Sequence, residues 1–104
     1  MSKRYMIALD SGTEKQNDAF IEYINKNGIG WWHWINNFWL LVDTRDKLSA
    51  TIIRDELDVI YPNVSKIVFE LSGGNDTWSG FGPSSKNSNM FTWLKGSWNR
   101  AKKS

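Results

Sequence analysis

The chain has 104 residues, a net charge of +2, seven Trp, one His and no Cys. That length holds one hydrophobic core, so residues 1–104 read as a single domain. Without Cys there is no disulfide framework or thiolate metal site, and one His leaves no polyhistidine cluster and no Cys-His pair. Any metal would be held by oxygen ligands, the chemistry of magnesium or manganese. No run approaches the roughly 20 apolar residues of a membrane span. The start, Met1-Ser2-Lys3-Arg4-Tyr5, reaches Asp10 before a signal-like stretch develops, so a soluble cytoplasmic protein is expected, with no membrane partner.

Charge is unevenly spread. Residues 1–85 carry eight Lys/Arg against eleven Asp/Glu, a balance of −3, whereas residues 86–104 carry five Lys/Arg and no acid, a balance of +5. Lys86, Lys95, Arg100, Lys102 and Lys103 thus make a basic C-terminus. They are candidate contacts to an anionic partner such as nucleic acid, or else a solvated end that keeps the protein soluble.

In chain order, Arg4 to Leu9 reads as a strand, with Tyr5, Ile7 and Leu9 on one face and Met6 and Ala8 on the other. Ser11 with Glu14, and Thr13 with Gln16, each offer a capping box to the helix that follows. Ala19, Phe20, Tyr23 and Ile24 form its apolar stripe, and Asn27-Gly28 ends it. Trp-rich runs then face each other across Asn36-Asn37, a two-residue hairpin link over about 29–43. Strict alternation places Trp31, His33 and Ile35 on one side and Trp32 and Trp34 on the other. Both faces are apolar, so both require cover. A second helix, capped by Asp46 or Ser49, carries Ile53, Leu57 and Ile60 and stops at Tyr61-Pro62. Val64 to Leu71 is the fourth strand, with Ile67, Phe69 and Leu71 inward and Lys66 and Glu70 outward.

The order β-α-β-β-α-β predicts an α+β ferredoxin-like sandwich: a four-stranded antiparallel sheet with two helices on one face. Residues 3–72 would form its core and 73–104 a C-terminal extension. Right-handed crossovers are expected to set the first and third strands side by side and parallel in the middle. The C-terminal segment, a second subunit or both must then cover the helix-free face. A short helix over about 88–95, ended by Gly96, would bring Met90, Phe91 and Leu94 onto the body. The glycine-rich Ser72-Gly73-Gly74-Asn75 lacks the pattern of a nucleotide-triphosphate loop.

In the parallel arrangement Asp10 and Asp43 share one edge of the sheet, where a hard divalent ion between them would activate water against a phosphodiester. Acids at strand ends also cap the turn that follows. For Asp10 the two uses stand level; for Asp43 capping is the favoured one. Trp31, Trp32, Trp34 and Trp39 are assigned to core and subunit contact and His33 to the interface, with Trp32, His33, Trp34 and Trp39 as the dimer contact. Trp93 and Trp98, beside the basic tail, are the stacking candidates, with packing the favoured use there too.

Several segments together resemble the SinR-like small bacterial proteins, relatives of the second core family of CRISPR-associated adaptation proteins. They are the strand ending in Asp10, Gly28 through Trp31-Trp32-His33, Phe38-Trp39-Leu40-Leu41-Val42 and Leu48-Ser49-Ala50 with Ile53-Arg54-Asp55-Glu56-Leu57. Phe69-Glu70-Leu71-Ser72-Gly73, Trp78-Ser79-Gly80-Phe81 and Trp93-Leu94 continue the series. The resemblance implies a ferredoxin-like homodimer that binds nucleic acid. It also implies that Asp10, at the end of the first strand, is the counterpart of the Asp tied to metal-dependent nuclease activity in some adaptation proteins. Ala8-Leu9-Asp10-Ser11 departs from the Tyr-Asp pair common there. The competing expectation is a non-catalytic protein-interaction module, a phage or mobile-element factor acting on a host machine, carried by the surplus of aromatic residues.

Overall fold

The computed structural model describes residues 2–71 and 77–102. The main elements are β1 (Lys3–Leu9), α1 (Glu14–Lys26), β2 (Gly30–Ile35), β3 (Phe38–Asp43), α2 (Ala50–Ile60) and β4 (Lys66–Leu71). Local chemistry sets their ends. Thr13 caps α1 in a full capping box with Gln16, and Ser49 accepts the N–H of Ile52 to cap α2. Gly28 takes a positive φ of 70° beyond α1, and Asn37 one of 68° in the hairpin turn.

The sheet order is β2-β3-β1-β4, and every neighbouring pair is antiparallel. This is the α+β sandwich expected, with a strand order that fits the ferredoxin-like type. The expected parallel pairing of the first and third strands is corrected: Lys3 lies opposite Asp43 and Ala8 opposite Phe38. The reason is geometric. The β1-α1-β2 crossover returns the chain in the direction it started, and the hairpin then reverses it, so β3 must run against β1.

Two apolar layers result. On the helix side, Tyr5, Ile7, Leu9, Trp39 and Leu41 pack with Phe20, Ile24, Ile53, Leu57 and Tyr61. On the other side, Trp32, Leu40 and Val42 pack against Met90, Leu94, Trp98 and Ala101. The C-terminal segment therefore supplies cover for the β2-β3 half of the second face. Its helix runs later than the spacing of residues 88–95 suggests. A π-helical turn, Leu94–Trp98, passes straight through Gly96 and continues into α3 (Asn99–Ala101). Burying Leu94, Trp98 and Ala101 on the sheet outweighs the helix-breaking tendency of one glycine, about 1 kcal/mol.

Alternation along the hairpin fails at one point. Trp32 faces Leu40 and Ile35 faces Phe38, so an extra residue bulges at His33-Trp34. The bulge turns Ile35 onto the same side as Trp32, where it lines a cleft with Phe38 and Leu40. In β4 the sides are the reverse of those expected. Val68 packs into the helix-side core, whereas Ile67 and Phe69 lie on the far side beside Ala8 and Met6, about half exposed at 51% and 50%.

Candidate nucleic-acid interface

Asp10 follows β1, and its N–H donates to Ser65 O at 2.9 Å. It is exposed beside a polar cleft of about 430 Å³ lined by Ser11, Gly12, Glu14, Asn17, Asn36 and Asn37. Close packing shapes this end: a Cβ at Gly12 would meet the Tyr61 ring at 2.9 Å, and Tyr61 OH donates to Asn17 Oδ1 at 2.7 Å.

Asp43 lies at the opposite end of the sheet. Being across from Lys3, it stands seven residues of strand from Asp10, more than about 20 Å away. Its carboxylate is fully buried and accepts N–H groups from Leu48 at 2.7 Å and Arg45 at 3.3 Å. It ties down the β3–α2 loop, so the expected Asp10–Asp43 metal pair does not form. Among the described residues no three His, Asp or Glu side chains gather as a cation site. Asp10 and Asp43 therefore do not share a cation within one chain, and no hydrolytic step is assigned to Asp10.

The tryptophans expected at a subunit contact are mostly inside the chain. Trp39 is wholly buried, and Trp32 donates its indole N–H to Met90 O at 2.6 Å. Neither is available to a second subunit, because the C-terminal segment covers Trp32 and the helices cover Trp39. His33 stacks on Trp39 with ring centroids 3.7 Å apart. Its Nδ1 lies 2.9 Å from the Phe38 carbonyl, which only accepts, so Nδ1 holds a proton. Of this set Trp34 is the exposed one, at 43%.

The Asp43 end gathers cations from separate segments. Lys26 ends α1, Arg45 and Lys47 are exposed on the β3–α2 loop, and Arg100 is exposed on α3. Ser2, Gly30, Val42, Thr44, Ser97, Arg100 and Ala101 line a groove of about 320 Å³ at this end, with Arg100 as its charged lining residue. Trp93 forms part of the neighbouring surface: a Cβ at Gly30 would stand 3.6 Å from its indole. Two of the acids here are engaged, whereas Glu70, exposed opposite Tyr5, adds negative charge near Lys3. Asp43 is buried, and Asp46 bonds Lys3 at 2.8 Å, a contact that lowers the Asp46 pKa and raises that of Lys3. Of the expected basic set, Arg100 borders the groove, and Lys102 follows Ala101 closely. Lys95 is exposed on the π-helical turn, and Lys86 is exposed in the loop before it. Lys103 lies outside the described residues.

Sequence reasoning missed Lys26, Arg45 and Lys47, which sit far from the C-terminus along the chain. The usable signal was the turn Thr44-Arg45-Asp46-Lys47 directly after a strand whose neighbour begins at Lys3.

Fold and site define a small α+β protein of ferredoxin-like strand order with a groove lined by Arg100 at one end of its sheet. No family model, no curated protein and no solved structure matches the chain.

Proposed function

We propose that this chain is a nucleic-acid-binding protein that works as a homodimer in the cytoplasm. One observation carries the reading: Arg100 lines a groove at the Asp43 end of the sheet, the end at which the exposed Arg45 and Lys47 follow β3. Phosphates would lie against these cations, and the half-buried Trp93 offers an aromatic surface for an unpaired base. The likeness to SinR-like proteins supports the same reading. Binding rather than hydrolysis is proposed, since Asp10 and Asp43 lie at opposite ends of the sheet.

The test is titration of labelled single-stranded RNA and DNA at graded salt, with and without magnesium. Salt-sensitive binding weakened by Arg45→Ala, Lys47→Ala and Arg100→Ala, and indifferent to Asp10→Ala, is the expected result. Binding that ignores salt and these three changes would remove the proposal. Magnesium-dependent cleavage abolished by Asp10→Ala would restore the nuclease expectation.

A second reading, a protein-interaction module, is supported by Phe81. This ring is fully exposed at the rim of an apolar cleft of about 370 Å³ between the sheet and residues 77–81. Capture of a defined protein partner that survives nuclease treatment and is lost with Phe81→Ser would favour it.

A further inference from the structure

The two edges of the sheet differ. β2 is interrupted by the bulge at His33-Trp34, one of the devices that blunt an edge against further pairing. β4 is regular over Lys66–Leu71, contains no Pro, and pairs only with β1 among the described residues. Ile67 and Phe69 beside it are half exposed.

Hydrogen-bond alternation shows which backbone groups face outward. Asp10 N–H donates to Ser65 O, so Ser65, Ile67 and Phe69 direct their backbone groups toward β1. Lys66, Val68 and Glu70 therefore turn their N–H and C=O groups to the open edge.

The strand Lys66-Ile67-Val68-Phe69-Glu70 is also self-complementary when reversed. With Val68 at a two-fold axis, Lys66 faces Glu70 of a second copy, Ile67 faces Phe69, and Val68 faces itself. Opposite charges meet on the helix side, where Lys66 also bonds Asp58 of its own chain at 2.6 Å, and apolar side chains meet on the far side. Shifting the register by two residues in either direction puts a charge opposite Val68, and shifting by four puts like charges together. In the centred register the outward-facing residues pair with one another, each facing pair exchanging two backbone hydrogen bonds.

We infer that β4 is the dimerisation edge, joining two copies antiparallel through Lys66–Glu70 into one continuous eight-stranded sheet. This rests on the homodimer part of the proposed function and is independent of nucleic-acid binding. It replaces the tryptophan face as the contact surface. In this dimer the two Asp10 side chains lie toward opposite ends of the paired strands, so they share no ion.

The experiment is sedimentation equilibrium of the full chain and its Glu70→Lys variant, with circular dichroism confirming that both fold. A wild-type dimer whose dissociation constant rises about tenfold in Glu70→Lys is expected, because attraction becomes repulsion at two symmetric positions. Restoration by the double variant Lys66→Glu/Glu70→Lys is expected too. As a separate measure, the double variant Ile67→Cys/Phe69→Cys should oxidise to a covalent dimer, while each single Cys variant should not. The facing Cα atoms would be about 4.5 Å apart, within disulfide reach. A monomer at every concentration would overturn the dimer itself. A dimer indifferent to Glu70→Lys and without the 67–69 cross-link would overturn only its assignment to β4.

Discussion

The Arg4 guanidinium lies 4.8 Å over the ring of Trp98, and both side chains are buried. The contact joins β1 to the C-terminal segment and closes one end of the second apolar layer. Trp98→Ala removes a large buried side chain as well as the cation–π contact. A loss of about 3–5 kcal/mol is expected in urea unfolding, with dye binding to the uncovered sheet face. Trp98→Phe should lose less, since a ring remains over the guanidinium.

Asp43 gives a second prediction. Its buried carboxylate accepts two backbone N–H groups of the loop that leads to Leu48. Asp43→Ala leaves those donors without their acceptor and should lower stability by about 1–3 kcal/mol. A role in structure alone predicts no change in metal affinity by calorimetry. A magnesium affinity that falls in this variant while its fold is retained would contradict that assignment.

The tyrosines set an alkaline limit. Burial pushes Tyr5 and Tyr61 from 10.0 up to about 12, and raises Tyr23 as well. Above pH 10.0 the unfolded chain loses these protons while the fold keeps them, so stability falls as pH rises from there toward about 12. Below pH 10.0 this contribution is complete and flat. The melting temperature should therefore drop steeply over that alkaline interval. Tyrosinate absorbance should appear together with unfolding, and early titration of Tyr5 in the intact fold would refute the account.

Gly82 stands where a Cβ would overlap the Met90 sulfur. Met90 in turn accepts the Trp32 indole N–H and donates its own N–H to Pro83 O at 2.9 Å. Gly82→Ala must displace Met90 and should lower stability by about 1–3 kcal/mol, as overpacking does. Loss of hydrogen-exchange protection at the Trp32 indole N–H is the local readout. Gly28→Ala provides the contrast. Nothing crowds that position, so any loss there reflects its positive φ alone.

Salt dependence measures the proposed groove directly. Each phosphate contact removed should reduce the slope of log affinity against log salt by about 0.7 for a single strand. Arg100→Ala and Arg45→Ala should each show such a decrease. Lys15→Ala, exposed in the first turn of α1 at the Asp10 end of the sheet, should not.

The elements were largely legible because local signals agree. Thr13 with Gln16, Ser49, the Asn36-Asn37 turn and Tyr61-Pro62 mark boundaries by backbone chemistry that acts over a few residues. The apolar stripes of Phe20 and Ile24, and of Ile53 and Leu57, mark the helix faces in the same way. Relations across the fold were less legible. The direction of β3 relative to β1 decides whether Asp10 meets Asp43, and that follows from how crossover and hairpin combine. The bulge that redirects Ile35 is absent from simple alternation, as is the helical path through Gly96.

The amino-acid sequence by itself determined the order β-α-β-β-α-β, the helix caps and the need to cover two apolar faces of one hairpin. Propensity, capping and periodicity are local and can be read along a line. Tertiary structure alone decided that the C-terminal helix covers Trp32 and that Asp43 serves its own loop. It also decided that Arg100 lines a groove at the end of the sheet where Arg45 follows β3, and that β4 pairs only with β1 among the described residues. Those outcomes depend on the burial of large aromatic surfaces and on strand direction, which bring together residues that the chain keeps far apart.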